Sequence, residues 1–291
     1  MILTARVRSW SEAGTRERVH GHELFVLRRS GAGPTLLFLH GFPSSSYDWR
    51  ALLALNPGRE VIALDFLGFG LSDKPADHLY ALAWQADAVE ELVARAGTPP
   101  VYLVAHDMGT SVATELMARE LEGRARIEIA GALLFNGSIL LDRASPTIGQ
   151  KLLRSPLGPV FARLTTEFGF RSQFRRIFSD AHPLSSEEAA DQWALISYRN
   201  GHRIAHRTIH YMEERERLTD RWHGAFRDWP GPLSLTWGLK DPVATTDVLN
   251  GLRELRPGVP VHELPGLGHY PQLERPELVA EALTSALARA A

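Results

Sequence analysis

The fold is decided by one stretch of the chain, Val101-Tyr102-Leu103-Val104-Ala105-His106-Asp107-Met108-Gly109. Its first five residues form a short apolar run of the kind that makes a buried strand. The next segment, Gly109–Glu122, carries apolar residues at helical spacing. A glycine two residues after Asp107 keeps a sharp strand-to-helix turn uncrowded, and such a turn lifts the central side chain above the sheet. The stretch therefore predicts a nucleophile elbow with a carboxylate at its tip. The alternative is an aspartate that only N-caps the helix.

The rest of the chain alternates in the same way between apolar runs and helix-like segments. The runs that predict buried strands are Thr35–Leu39, Val61–Asp65, Ile129–Phe135 and Leu233–Trp237. Ala5–Trp10 and His22–Arg29 alternate more strongly and suit antiparallel edge strands. Leu79–Ala96 and the closing segment Pro276–Ala290 read as amphipathic helices. This alternation predicts an α/β fold with a mostly parallel central sheet flanked by helices on both faces.

The alternation stops between about residues 138 and 226. Strand-like runs almost disappear there, and Arg, aromatic and Pro residues become frequent. We interpret 138–226 as an inserted helical cap and residues 1–137 and 227–291 as the core domain. Because ligands of open α/β sheets bind beyond the carboxyl ends of the strands, a cap inserted there would roof a ligand site.

Composition excludes several classes of protein. The chain has 291 residues, 44% of them hydrophobic and 23% charged, which argues against disorder. Its net charge of −2 gives no reason to expect nucleic acid or a membrane as a partner. There are no cysteines, so thiolate chemistry and disulfides are excluded, and a cytoplasmic location is expected. A homodimer is left open.

Two further motifs supply partners for Asp107. Asp241 follows the strand-like run Leu233–Trp237, and His269 lies in a Gly/Pro-rich loop before the final helix. Alone, either could be structural, because Asp-Pro commonly starts a turn and loop histidines are usually solvated. The chain order nucleophile, acid, histidine is the order used by catalytic triads on this kind of sheet. The three residues together predict a catalytic site.

A fourth motif, His40-Gly41-Phe42-Pro43, directly follows the strand Thr35–Leu39. The backbone N–H groups of Phe42 and Met108 could form an oxyanion hole. The alternative is a plain Gly-Pro turn. We expect His40, Phe42 and His106 to border the substrate pocket, with Trp193 added from the cap.

These motifs resemble one family. His40–Pro43, Asp65–Pro75, His106–Gly109 and Gly268-His269 are similar to the α/β-hydrolase-fold epoxide hydrolases and haloalkane dehalogenases, over about residues 20–290. The strings Phe42–Trp49, Val61–Pro75 and His269–Leu273 most resemble the mesoderm-specific transcript proteins. The resemblance implies an α/β-hydrolase fold with a cap, no cofactor, and Asp107 as nucleophile.

The carboxylate at the elbow favours chemistry at saturated carbon. A carboxylate that attacks an alkyl carbon forms an ester, which water can cleave, whereas a serine would form an ether. The reaction is then the opening of an epoxide or the displacement of a halide. In both, His269, oriented by Asp241, would activate the water that cleaves the ester.

The side chains near the nucleophile favour an epoxide. The dehalogenases resembled here carry tryptophan directly after the nucleophile and often asparagine in the His-Gly-x-Pro motif, where this chain has Met108 and Phe42. The epoxide hydrolases protonate the opened ring from cap tyrosines. Tyr211 lies in a segment similar to the one that carries the second family tyrosine, whereas the first would fall near Leu152, where none exists. Tyr198 is the other candidate, and either tyrosine could instead pack inside the cap.

The sequence thus predicts an epoxide hydrolase that makes vicinal diols from a small-molecule epoxide. A dehalogenase with unusual cap donors such as Trp193, and a binding protein that keeps the pocket, are the alternatives. His202, His206 and His210 lie four residues apart, a spacing that can bind zinc on a helix. No carboxylate is placed to complete such a site, so we expect no metal. Gly68-Phe69-Gly70 does not open a helix, and we interpret it as a turn.

Overall fold

An eight-stranded sheet forms the centre of the computed structural model, which describes residues 3–97 and 100–290. The strands are β1 (Thr15–Val19), β2 (His22–Arg29), β3 (Ala32–Leu39), β4 (Arg59–Leu64), β5 (Val101–His106), β6 (Ile129–Phe135), β7 (Leu233–Gly238) and β8 (Val261–Leu264). Their order is β1-β2-β4-β3-β5-β6-β7-β8. β1 and β2 pair antiparallel, β2 pairs antiparallel with β4, and all other neighbours are parallel. The predicted mostly parallel sheet is confirmed.

Helices cover both faces of the sheet. In chain order they are α1 (Ala5–Ala13), α2 (Arg50–Ala54), α3 (Leu82–Ala96), α4 (Met108–Leu121), α5 (Ile148–Arg154), α6 (Gly158–Leu164), α7 (Glu167–Arg175), α8 (Ser186–Ser197), α9 (Ala205–Thr208), α10 (Tyr211–Arg217), α11 (Thr219–Asp228), α12 (Thr246–Leu255), α13 (Pro271–Glu274) and α14 (Pro276–Ala290). Short 3-10 helices occupy Ser46–Trp49, Leu141–Arg143 and Tyr198–Ile204.

The central strand β5 explains why the apolar runs are unbroken. Leu103 and Ala105 pack into the cluster that contains α3, α4, α11 and α12. Tyr102 and Val104 point the other way, into the cluster that contains α1, α2 and α14. Successive side chains of a strand face opposite sides, so a strand covered on both faces must be apolar at every position.

The insertion between β6 and β7 is helical throughout. Residues 136–232 are all described, and they contain helices α5–α11 and no strand. The predicted insertion between two strands of the sheet is therefore helical. The final helix of the predicted range, α11, packs on α4, and the Trp222 indole donates to Glu115. The boundary at residue 226 between core and cap stays a prediction.

One strand prediction was wrong. Residues 5–10 belong to α1, whose start is capped by the Thr4 side chain accepting from the Val7 N–H at 3.2 Å. Val7 and Trp10 are its buried residues, and their spacing of three fits a helix face better than an alternating strand. Strands β1 and β8 escaped prediction because they lie at the sheet edges and each buries only one of its side chains.

The turn after β5 brings helix α4 against the backbone of β3. A Cβ atom on Gly109 would lie 2.2 Å from the Leu39 carbonyl oxygen and 2.8 Å from that of His40. Both contacts are with backbone, which cannot rotate away. Glycine at 109 is thus required for the close approach of the first turn of α4 to the end of β3.

We expect Gly109→Ala to destabilise the protein by about 3 kcal/mol, the upper part of the range for overpacked interiors. Urea unfolding followed by circular dichroism measures the change. Gly266→Ala is the matched control, because a Cβ there meets no atom within 4 Å. Equal unfolding free energies for the two variants would contradict the proposed close packing.

Candidate active site

The predicted site residues converge at one edge of the sheet. Asp107 follows β5, Asn136 follows β6, Asp241 lies just beyond β7, and Phe42 follows β3. These four strands are parallel, so their carboxyl ends lie side by side. His269 joins them from the loop after β8.

Asp107 is held in an uncommon backbone conformation. Its φ is 45° and its ψ is −113°, a region that costs a non-glycine residue ~1–3 kcal/mol. Its carbonyl accepts from the Thr110 N–H at 3.1 Å, the Thr110 hydroxyl at 2.7 Å and the Arg215 guanidinium at 3.1 Å. The side chain makes no capping bond to α4, and its Oδ2 instead accepts from the Phe42 N–H at 2.9 Å. The interpretation as a simple N-cap is therefore excluded.

His269 and Asp241 form a buried pair. The His269 Nδ1 lies 2.7 Å from Asp241 Oδ2. The other carboxylate oxygen of Asp241, Oδ1, accepts from the N–H groups of Val243 and Ala244 at 2.7 and 3.1 Å. With its proton on Nδ1, His269 keeps the lone pair on Nε2. Burial opposes the charged imidazole, but the carboxylates of Asp241 and Asp107 outweigh burial and raise the pKa of His269 above its ordinary value.

Asn136 orients this pair and was not predicted. Its amide donates to Asp241 Oδ2 at 2.8 Å and to the Gly238 carbonyl at 3.2 Å, while its Oδ1 accepts from the Gly238 N–H at 2.9 Å. Its φ of 45° aims the side chain across the ends of β6 and β7. The sequence feature that could have identified Asn136 is its position directly after a predicted strand, at the edge of the sheet where ligands bind.

The residues predicted to form an oxyanion hole flank Asp107. Phe42 N–H already contacts the carboxylate, and Met108 begins α4, where N–H groups have no acceptor within the helix. A Cβ on Gly41 would lie 2.8 Å from Asp107 Cβ, so only glycine lets the loop after β3 come this close. Two backbone donors are thus available beside the carboxylate.

Tyr211 lies on the cap side of Asp107. Its ring is buried and lies 5.7 Å from that of Phe42, and the residue shares a small cavity with Asp107 and Gln150. Burial and the negative charge of Asp107 raise the pKa of Tyr211 above its ordinary value. The phenol is therefore neutral and carries a proton that it can donate.

Arg215, one turn further along α10, was not predicted at the site. Its Nε donates to Ser111 Oγ at 2.9 Å, and one terminal nitrogen lies 3.8 Å from Asp107 Oδ1. Its guanidinium also lies 4.7 Å from the centre of the Tyr211 ring. The sequence could not indicate this, because Arg215 stands among charged neighbours, Glu213 to Arg217, and resembles a surface residue.

A cavity of about 120 Å³ lies between the cap and the catalytic edge. His269 and Phe42 line its inner end, and the cap supplies most of the rest of its wall, largely with apolar side chains. The cap also contributes the polar groups Thr147, Gln150, Thr165, Gln173 and His202. Burial lowers the pKa of His202, and its buried Nδ1 has no hydrogen-bond partner among the described residues. A mostly apolar cavity with few polar groups suits a small lipophilic substrate.

Tyr198 is not brought to the site. Its hydroxyl accepts from the Arg16 guanidinium at 3.0 Å, and Arg16, Lys74 and Arg199 lie near its ring. It does not line the cavity. Tyr198 directly follows α8 and begins a 3-10 helix. Its side chain contacts Arg16 of β1 instead of the site.

His40 and His106, predicted as pocket residues, are buried structural residues instead. His40 Nδ1 bonds the Gly41 carbonyl at 2.8 Å, and its Nε2 accepts from the Phe66 N–H at 3.0 Å. His106 Nε2 bonds the His269 carbonyl at 2.7 Å. Burial lowers the pKa of His40, and burial together with His269 lowers that of His106 to about 3, so both are neutral. They hold the loops that carry Phe42 and His269.

Trp193 and the three spaced histidines also lie away from Asp107. Trp193 packs behind the cavity wall, 5.7 Å from Phe170 and 5.4 Å from His202. The His210 Nδ1 pairs with Glu213 at 2.8 Å. Within residues 3–97 and 100–290, no group of three or more His, Asp or Glu side chains is arranged to hold a metal ion.

Comparison with known proteins identifies the family of the chain. The sequence model of the alpha/beta hydrolase family matches residues 36–282. LipZ of Mycobacterium tuberculosis is 56% identical over 286 residues, which cover 98% of this chain and 99% of LipZ. The human mesoderm-specific transcript homolog protein is 35% identical over 94% of this chain and 85% of its own length.

Solved structures show the same fold. Haloalkane dehalogenase DatA from Agrobacterium tumefaciens superposes with a TM-score of 0.79 at 21% identity, covering 96% of this chain and 97% of DatA. Epoxide hydrolase CorEH superposes with a TM-score of 0.78 at 21% identity, covering 95% of this chain and 98% of CorEH. The resemblance found in the motifs is confirmed, and the chain belongs to the alpha/beta hydrolase family.

Proposed function

We propose that this hydrolase opens epoxides to vicinal diols through an ester on Asp107. The observation that carries the proposal is the placement of a neutral, buried phenol, Tyr211, on the same small cavity as the Asp107 carboxylate. Asp107 supplies the nucleophile for carbon and Tyr211 supplies the proton for oxygen. An opening epoxide needs both at once.

In the first step an Asp107 carboxylate oxygen attacks a ring carbon. A carbon–oxygen ester bond forms, the ring carbon–oxygen bond breaks, and its electron pair passes to the ring oxygen. That oxygen takes the proton of Tyr211, which becomes a phenolate. The guanidinium of Arg215, 4.7 Å from the ring centre, stabilises the phenolate charge and so offsets part of the effect of burial.

In the second step His269 Nε2 takes a proton from water, which attacks the ester carbonyl of Asp107. The oxyanion accepts from the N–H groups of Phe42 and Met108. Collapse breaks the ester, and the departing diol oxygen takes the proton from His269. The Asp107 carboxylic acid then returns its proton to the Tyr211 phenolate, which restores the starting state.

A haloalkane dehalogenase is the second candidate, and Arg215 is the observation that favours it. Its cationic guanidinium near the nucleophile could hold a departing halide. The indole N–H groups of Trp222 and Trp237 are not free to bind a halide, because Trp222 donates to Glu115 and Trp237 donates to the Ala244 carbonyl. A binding protein without turnover is disfavoured, since it has no need of a buried Asp241–His269 pair beside Asp107.

The reaction class is tested by its products. The purified protein is incubated with a panel of aryl, alkyl and cyclic epoxides and several bromoalkanes, and diol and bromide are measured. We expect diol, lost in Asp107→Ala. Bromide without diol would establish the second candidate, and neither product would contradict both.

The role of Tyr211 is tested by trapping the ester. Without the base, His269→Gln should accumulate an adduct on Asp107, observed by intact-protein mass spectrometry. Adding Tyr211→Phe should slow adduct formation by about 100-fold, the lower range for lost general-acid catalysis. Tyr198→Phe in the same background is the matched control and should have no effect. Adduct formation at the same rate in both double variants would remove Tyr211 as the acid.

The second step should depend on pH through His269. His269 must be neutral to take a proton from water, and Asp241 raises its pKa above the ordinary value. Ester hydrolysis should therefore fall as the pH drops through a midpoint set by the pKa of His269. Asp241→Asn removes the negative charge, so the midpoint should move to lower pH and the maximal rate should drop. Single-turnover decay of the ester measures both, and an unmoved midpoint would assign the titration to another group.

A further inference from the structure

The outer surface of the cap is unusually apolar. Among the residues that the structure describes, nine large apolar side chains are exposed, and six of them fall within residues 148–168: Ile148, Leu152, Leu157, Val160, Leu164 and Phe168. Leu164 is 72% exposed and Phe168 is 83% exposed. Ile148 and Leu152 lie four residues apart on α5, as do Val160 and Leu164 on α6, and α5 contacts α6. Clustered exposed apolar side chains mark an interaction surface.

The same segment is strongly basic. Residues 148–176, which we call the cap face, contain six basic residues and one acidic residue, Glu167, whereas the whole chain has a net charge of −2. Within the described parts of the chain, four of the six basic residues make no ion pair: Lys151, Arg163, Arg175 and Arg176. The partner of this face must therefore be both apolar and anionic.

A groove of about 460 Å³ lies beside α7, between it and residues 184–189. Arg171, Arg175 and Arg176 line it together with the exposed ring of Phe168. The Nε of Arg171 is buried and has no hydrogen-bond partner among the described residues. Arg171 pairs with Glu167, whereas Arg175 and Arg176 make no ion pair within the described ranges. Two unpaired guanidinium groups next to an apolar ring match a phosphate headgroup above acyl chains.

The inner sides of the same helices line the catalytic cavity. Leu153 of α5, Phe161 of α6 and Phe170 of α7 all contribute to its wall. Whatever covers the cap face is thus one helix layer away from the cavity beside His269.

We propose that the cap face docks on an anionic phospholipid bilayer, with its apolar side chains at the acyl boundary and its arginines on headgroup phosphates. No helix among the described residues is long and apolar enough to cross a bilayer, so the contact is interfacial. A second copy fits less well, because a two-fold contact would place two basic faces together. The expectation of no membrane partner came from the net charge of the whole chain, which does not report this local excess. Docking would deliver lipophilic substrates from the bilayer to the cavity.

The test is sedimentation of the full chain with vesicles of equal parts phosphatidylcholine and phosphatidylglycerol. We expect binding that weakens with added salt and is much weaker on pure phosphatidylcholine. Arg175→Glu should weaken binding by about tenfold or more, because each basic residue near such a surface contributes about fivefold and the reversal adds repulsion. Phe168→Ser should also weaken it, which separates insertion from charge attraction.

Two control variants carry the same chemical changes elsewhere. Arg126 is exposed and precedes β6, at the opposite edge of the sheet from the cap, so Arg126→Glu should bind within about twofold of the parent. Leu121→Ser, at the end of α4, matches Phe168→Ser. Urea unfolding checks that all four variants are folded.

Three outcomes would overturn the proposal: no binding at low salt, equal binding by Arg175→Glu and Arg126→Glu, or a dimer in sedimentation velocity that Phe168→Ser dissociates. The binding test needs no turnover, so its failure would leave the proposed reaction untouched.

Discussion

The structure of the site depends on the turn at Asp107. The φ of Asp107 is 45°, which is unfavourable for any residue with a side chain, so the surrounding structure must hold the backbone there. The residue is only 4% exposed. Hydrogen bonds to its carbonyl from Thr110 and Arg215 do so from the core and the cap. Gly109 lets α4 approach β3, and Gly41 lets the loop after β3 approach the carboxylate. Loss of either small residue would move the nucleophile.

Each charged group near Asp107 has a partner of opposite charge or a hydrogen-bond donor. Asp107 faces a backbone N–H and the guanidinium of Arg215, while His269 bonds Asp241. The neighbouring His106 is neutral, because burial and His269 lower its pKa to about 3. The pKa of His269, in contrast, is raised above the ordinary histidine value, because Asp241 and Asp107 outweigh burial. The structure thus distinguishes His269 from the buried neutral residues His40 and His106.

The helices of the insertion make two kinds of contact. Through Tyr211 and Arg215, α10 brings a buried phenol and a cation close to Asp107. Through Leu153, Phe161 and Phe170, α5, α6 and α7 build the cavity wall while their outer residues stay exposed and basic. In the proposed reaction and the proposed bilayer docking, α5, α6 and α7 would serve both the cavity and the bilayer contact.

The sequence by itself determined the buried parallel strands, the turn at Asp107 and the placement of Asp241 and His269 near it. Buried parallel strands must be apolar at every position, and each site residue follows such a strand or a Gly/Pro-rich loop, so local signals sufficed. Only tertiary structure decided the rest. Residues 5–10 became helical because Thr4 caps α1 and Val7 and Trp10 pack on the sheet. The choice of Tyr211 over Tyr198, and the arrival of Arg215 and Asn136 at the site, depend on contacts between residues 105 to 182 positions apart. Hydrophobic periodicity in the sequence does not reveal such contacts. It indicates which face of a helix or strand is buried, but not which other element that face packs against.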